Sequence, residues 1–127
     1  MEAKQIFKSR FAGVWIDENL APARIRVGVV ALSEQDRALW AKRTDFGDEV
    51  GLVDRNFSLR DLARFRRTAT AYLMERKAFC MIGYDYRHNA VKVVVIRSLS
   101  NSVKQGLYAR TPARAIRYST SPCKFHT

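Results

Sequence analysis

The sequence has only two cysteines, three prolines, six glycines and two histidines in 127 residues, and each shortage removes a class of answer. Two cysteines, Cys80 and Cys123, cannot build the disulfide framework of a small secreted domain. A bridge between them asks for an oxidising compartment; otherwise Cys80 reads as a small hydrophobe inside a strand and Cys123 as part of a loose tail. The glycines do not cluster into a phosphate-cradling loop. No run of about 18 apolar residues exists, so no membrane-spanning helix is expected. The opening M-E-A-K-Q-I-F-K-S-R lacks the apolar core of a signal peptide, so the chain, if complete, reads as cytoplasmic.

Catalytic constellations are equally scarce. His88 falls in a turn and His126 near the end, and no Gly-x-Ser-x-Gly elbow presents a nucleophile. Cys80 with His88 as a thiol–base pair is outweighed by a structural thiol beside a solvated turn. Cys80, His88, Cys123 and His126 would make a zinc set, but at irregular spacing. The expectation is a chain that is not an enzyme, with no metal and no cofactor.

Acidic residues are also short: 12 Asp and Glu against 23 Lys and Arg, a formal charge of +11. Such an excess suits acidic partners, nucleic acid among them, but says nothing of fold. The apolar fraction of 47% is enough for one domain with a packed core.

What is present is strand and helix patterning. Residues 1–10 read as a polar lead-in. Phe11 to Ile16 is a strand, 17–23 a loop, and Arg24 to Val30 a half-buried strand with Ile25, Val27 and Val29 on one face. Ser33, with Asp36 three residues on, opens a helix through Ala38 and Leu39 to about Arg43. Residues 44–49 form a loop, and Val50 to Val53 a short strand. Ser58 caps a helix running to Lys77, with Leu59, Leu62, Phe65, Ala69, Tyr72 and Leu73 on one stripe. Cys80 to Tyr84 and Val91 to Ile96 pair about the turn Tyr86–Arg87–His88–Asn89, where Asn89 suits left-handed backbone. The second of these runs is too apolar for an edge and belongs inside a sheet covered by helices. Ser98 or Ser100 starts a helix through Tyr108 that Thr111-Pro112 ends, and Ala115 to Ser119 is the last strand.

The expected fold is therefore α+β: two ββαβ lobes, 11–54 and 78–120, joined by the helix 58–77, then a tail, 121–127. A weak internal repeat accompanies this order. Setting residues 23–43 against 90–110 matches Ala23/Ala90, Val27/Val94, Leu32/Leu99, Ser33/Ser100 and Arg43/Arg110.

One electrostatic feature stands out. Arg60, Arg64 and Arg67 share a helix face, with Arg66 and Arg55 near, and such a face tracks phosphates or is merely solvated. Tyr84 and Tyr86 only partly supply the aromatics of a base-stacking sheet.

Over residues 11–120 the chain resembles the pro-region of bacterial chymotrypsin-like serine proteases of the streptogrisin and α-lytic protease type. The resemblance rests on F-A-G-V-W-I-D (Phe11 to Asp17), on S-L-R-D-L (Ser58 to Leu62) after a Val-containing strand, and on the hairpin Y-D-Y-R-H-N-A-V-K-V-V-V (Tyr84 to Val95). It implies a secreted, non-catalytic folding assistant and inhibitor whose partner is a trypsin-like serine protease. It further implies that the last strand and tail lie against the protease and enter its cleft, which points to Tyr118, Ser119, Thr120 and Ser121 as contacts. The chain departs from that family in having no Gly-Asp-Ser-Gly-Gly segment and in its basic charge. Two alternatives stay open: a basic module binding nucleic acid through Arg60, Arg64 and Arg67, and an orphan domain with no surviving partner.

Overall fold

A computed structural model of the chain describes residues 2–19, 24–43 and 50–122. The fold is α+β, with two three-stranded mixed sheets and helices packed on them. It forms two compact units: one comprises the residues up to Arg60 with Tyr86–Asn89, the other Asp61–Asp85 with the residues from Ala90 on. The helix expected to join two lobes thus divides unequally, since from Asp61 it belongs to the second unit.

In the first unit, β1 (Phe11–Asp17) pairs antiparallel with β2 (Arg24–Val30), and β2 pairs parallel with β3 (Val50–Arg55). Period-two alternation puts Val27 and Val29 into the core with Val50 and Leu52, as the pattern predicts; Ile25, at the strand's outer end, stays exposed. Gly13 sits at a register shift in β1 with φ of 112°, and the Tyr86 ring lies where a Cβ would project. Left-handed backbone and close approach together require glycine there.

One expectation is corrected in this unit. Residues 1–10 are not a polar lead-in. They form α1 (Glu2–Phe7) and a 3-10 turn (Lys8–Arg10), and the Ala3 and Phe7 side chains are buried in the core. Ala3, Ile6 and Phe7 have the i, i+3, i+4 spacing of an amphipathic helix, a signal masked by the four charged residues around them. In α2 (Glu34–Arg43) the buried apolar residue is Trp40, and Leu39 is exposed. Trp40 packs on Phe7 at 5.9 Å between ring centroids.

The start of α2 is strongly fixed. Ser33 Oγ accepts from the Asp36 N–H (3.1 Å) and Asp36 Oδ2 accepts from the Ser33 N–H (3.0 Å), a reciprocal capping box. Both Asp36 oxygens also accept from the Arg10 guanidinium at 2.8 Å. These bonds, Arg10's first and the Ser33 amide's second, hold the Asp36 carboxyl well below the usual carboxylate range. A folded-state pKa that is depressed stabilises the fold above the unfolded carboxylate pKa, and that stabilisation is lost as pH falls. Asp36→Asn is therefore expected to cost about 1–2 kcal/mol at neutral pH. In urea titrations the gap to the parent chain should close as pH drops below about 4. A gap unchanged down to about pH 2 would remove the ion pair as its origin.

The second unit repeats the topology. Here β4 (Met81–Asp85) is antiparallel to β5 (Ala90–Val95), which is parallel to β6 (Ile116–Thr120). The apolar run is central, with Val91, Val93 and Val95 buried. Helix α3 (Leu59–Glu75) buries Leu62, Phe65, Ala69, Tyr72 and Leu73, the stripe read from the sequence. Helix α4 (Asn101–Tyr108) is capped by Ser100, whose Oγ accepts from the Val103 N–H.

The residue-level repeat is true of the helix caps and not of the strands. Ser33 and Ser100 do the same work. Val27, however, is buried and pairs with Leu52, whereas Val94 pairs with half-exposed Ser119 and with exposed Met81. The buried counterpart of Val27 is Val93, one residue earlier, paired with Tyr118. One extra residue between strand and helix reverses the faces that a simple alignment would equate. Ala23 lies outside the described residues.

Tyr72 ties α3 to α4. Its hydroxyl donates to the Val103 carbonyl (3.0 Å), and the Arg76 and Arg110 guanidiniums lie 3.7 and 4.7 Å from its ring centre. A methyl at Gly106 would overlap that hydroxyl. Gly106→Ala, which in a free helix gains about 1 kcal/mol, is expected instead to lose about 1–2 kcal/mol because the buried ring cannot retreat. Thermal denaturation decides it; a raised Tm would mean that Tyr72 gives way.

Candidate protein-binding edge

A three-stranded sheet has two outer strands, and each outer strand carries N–H and C=O groups that its single neighbour leaves unpaired. The parallel strands β3 and β6 occupy equivalent outer positions in the two sheets. They are finished differently.

The β3 edge is covered by its own helix. Trp40 Nε1 donates to the Val50 carbonyl at 3.3 Å, and the Arg37 guanidinium reaches the Leu52 carbonyl at 3.5 Å. By register, Val50 and Leu52 correspond to Ile116 and Tyr118.

On β6, the Ser121 N–H donates to the Val95 carbonyl at 3.0 Å, so Ser121 faces β5. Strand alternation then turns Ser119 and Arg117 toward β5, and Ile116, Tyr118 and Thr120 away from it. The Ile116 N–H closes onto Ala113 O in the 3-10 turn Ala113–Ala115. The outward N–H and C=O of Tyr118 and Thr120 take no partner among the described residues. Here the chain presents two residues' worth of unused strand pairing.

The four residues expected at a partner surface therefore take distinct places. Tyr118 turns its ring onto the helix-covered face, where Lys104 Nζ stands 5.0 Å from the ring centre. Burial, with the Tyr108 phenol beside it, pushes the Tyr118 phenol above its ordinary pKa. Its side chain is structural, while its backbone lies on the edge. Thr120 is exposed on that edge; Ser119 and Ser121 face β5 through their backbones and are half-buried. Cys123 and His126 lie outside the described residues.

The arginine face of α3 is present, and its members differ. Arg60, Arg64 and Arg67 are all exposed. Arg64 is held by Asp61 at 3.5 Å and lies over the Phe65 ring. Arg66 reaches the Ile82 carbonyl and the Tyr84 ring, so it serves the second sheet. Arg55 stacks on Trp15 at 4.3 Å and donates to the Arg87 carbonyl at 2.7 Å. Arg66, though exposed, and half-buried Arg55 are thus each engaged elsewhere.

Cys80 is disulfide-bonded. A disulfide sulfur is no nucleophile, which removes the thiol–base reading of Cys80 and His88. Among the described residues, no three His, Cys, Asp or Glu side chains converge as a metal would require. No helix among them is long and apolar enough to cross a membrane.

The residues that sequence reasoning missed are Trp40 and Arg37, which guard one edge and so make the bareness of the other informative. Their signal was the W-A-K-R end of α2, where a lone tryptophan in a polar helix has to be either an anchor or an exposed patch. No protein-family model matches the sequence, and no curated protein matches it.

Proposed function

We propose that this chain is a non-catalytic protein-binding domain of the protease pro-region kind, whose partner is a trypsin-like serine protease and whose contact is the outer edge of β6. The observation that carries this reading is the contrast between two equivalent edges: β3 is hydrogen-bonded over by α2, and β6 is left open at Tyr118 and Thr120 among the described residues. An added strand gains main-chain hydrogen bonds there, and neighbouring side chains supply selectivity. A disulfide at Cys80 suits an oxidising compartment, where a secreted protease would be met.

The test is a titration of a streptogrisin-type protease with this domain, following peptide hydrolysis. Tight inhibition that weakens on removal of residues 119–127 supports the reading. Neither inhibition nor assisted refolding of any related protease from the same source overturns it.

A second reading is favoured by one observation. Arg60 and Arg67 have no ion-pair partner among the described residues. A nucleic-acid-binding face would show steep salt dependence and would lose binding when Arg60, Arg64 and Arg67 are changed together to Glu. Unaltered binding in that variant ends this reading.

A further inference from the structure

In the first unit, α1, the 3-10 turn after it and the first residues of α3 surround a concavity of about 430 Å³, lined by Lys4, Lys8, Ser9, Phe11, Leu59 and Arg60. We propose that this concavity binds a phosphomonoester dianion, the phosphate held by the three cations and the organic part resting on Phe11 and Leu59. This goes beyond the β6 reading and does not depend on it.

The placement follows from the sequence. Ala3 and Phe7, four residues apart, are buried, so Lys4 and Lys8 fall together on the adjoining stripe of the segment. Lys8 has φ of 51°, in the left-handed region, which turns the chain there and brings Ser9 to the same wall. Such backbone costs a lysine energy that an asparagine or glycine would be spared. Arg60 enters from the first turn of α3, whose amino end adds positive potential of the same sign.

None of the three cations has an ion pair among the described residues, and no acidic residue lines the concavity. Like charges gathered without a counter-ion repel, and a bound anion turns that repulsion into attraction. Three cations exceed what one carboxylate neutralises and suit a dianion, for which charge-assisted bonds from Lys and Arg are the usual holders. The Ser9 hydroxyl offers one more donor. The Phe11 and Leu59 surfaces favour an ester over bare phosphate, and the volume lies in the range of small-molecule sites.

The experiment is a calorimetric titration of the full chain at low salt with phenyl phosphate, inorganic phosphate, benzoate and a short duplex DNA, checked by amide chemical shifts of residues 4–11 and 58–61. Phenyl phosphate is expected to saturate with a Kd below about 1 mM, and benzoate to bind at least about tenfold more weakly. Lys4→Gln and Arg60→Gln, both at exposed positions, are each expected to weaken it about tenfold, while Arg43→Gln, remote in sequence and at the end of α2, leaves it unchanged. Inorganic phosphate binding more weakly than phenyl phosphate supports the apolar wall; equal or tighter binding overturns the ester. Four further results overturn the site: no saturation below about 10 mM, benzoate as tight as phenyl phosphate, equal loss in Arg43→Gln, or binding of DNA alone.

Discussion

Asn89→Ala is expected to destabilise the first unit by about 3–4 kcal/mol, the largest single effect foreseen for this chain. Asn89 closes the hairpin turn with φ of 53°, and its N–H donates to the Tyr86 carbonyl at 3.1 Å. Its side chain also faces the residues that precede α3. Oδ1 accepts from the Asn56 N–H (3.1 Å) and the Phe57 N–H (2.8 Å), and Nδ2 donates to the Phe57 carbonyl (2.8 Å). The residue is only 5% exposed, so water does not readily replace these bonds. Alanine strands two donors and an acceptor at about 1 kcal/mol each, and adds about 1 kcal/mol for left-handed backbone. Asn89→Gly keeps the conformation and loses the bonds, so it should fall short of the alanine loss by about 1 kcal/mol. Urea unfolding of the two variants separates the contributions. Equal losses would mean that the backbone conformation costs nothing, and losses under about 1 kcal/mol would mean that the side-chain bonds carry no weight.

The turn was legible because left-handed preference is a local property of asparagine, whereas the Phe57 bonds were not, because they join residues 32 apart in sequence. That division recurs along the chain. Strand and helix positions follow from periodicity that the buried face imposes, so Val27, Val29, Leu62, Phe65 and Tyr72 fell where the pattern put them. The short helices were harder. Two residues, Ala3 and Phe7, anchor α1, and one tryptophan anchors α2, too few for a period to rise above the charged residues between them. The repeat misled for a related reason. Identity counts positions along the chain, while a strand sorts side chains by parity, and one added residue changes parity without changing topology. The candidate edge was legible only as a place near Tyr118 to Ser121. Which of those residues offers backbone and which packs inward depends on the hydrogen bond between Ser121 and Val95.

Thr120→Pro is expected to leave the fold almost untouched and to weaken the proposed protease binding by at least about thirtyfold. The Thr120 N–H points away from β5, so a proline nitrogen there gives up no bond within the sheet, and proline is tolerated on edge strands in just that orientation. Ser119 before it is already extended, as proline demands of its predecessor. For an incoming strand the change is severe. One donor is gone, and the ring stands where the partner's backbone has to approach. Ser119→Pro is the counter-case, since the Ser119 N–H faces β5 opposite Val94, and its loss should unfold the edge of the second sheet. The two prolines, one residue apart, thus predict opposite outcomes: a folded chain that does not bind, and a chain whose second sheet loses its β6 edge. If Thr120→Pro folds and inhibits as the parent does, the β6 edge is not the contact, whatever the partner proves to be. If it folds, loses inhibition and keeps its affinity for phenyl phosphate, the edge and the cationic concavity serve separate ligands.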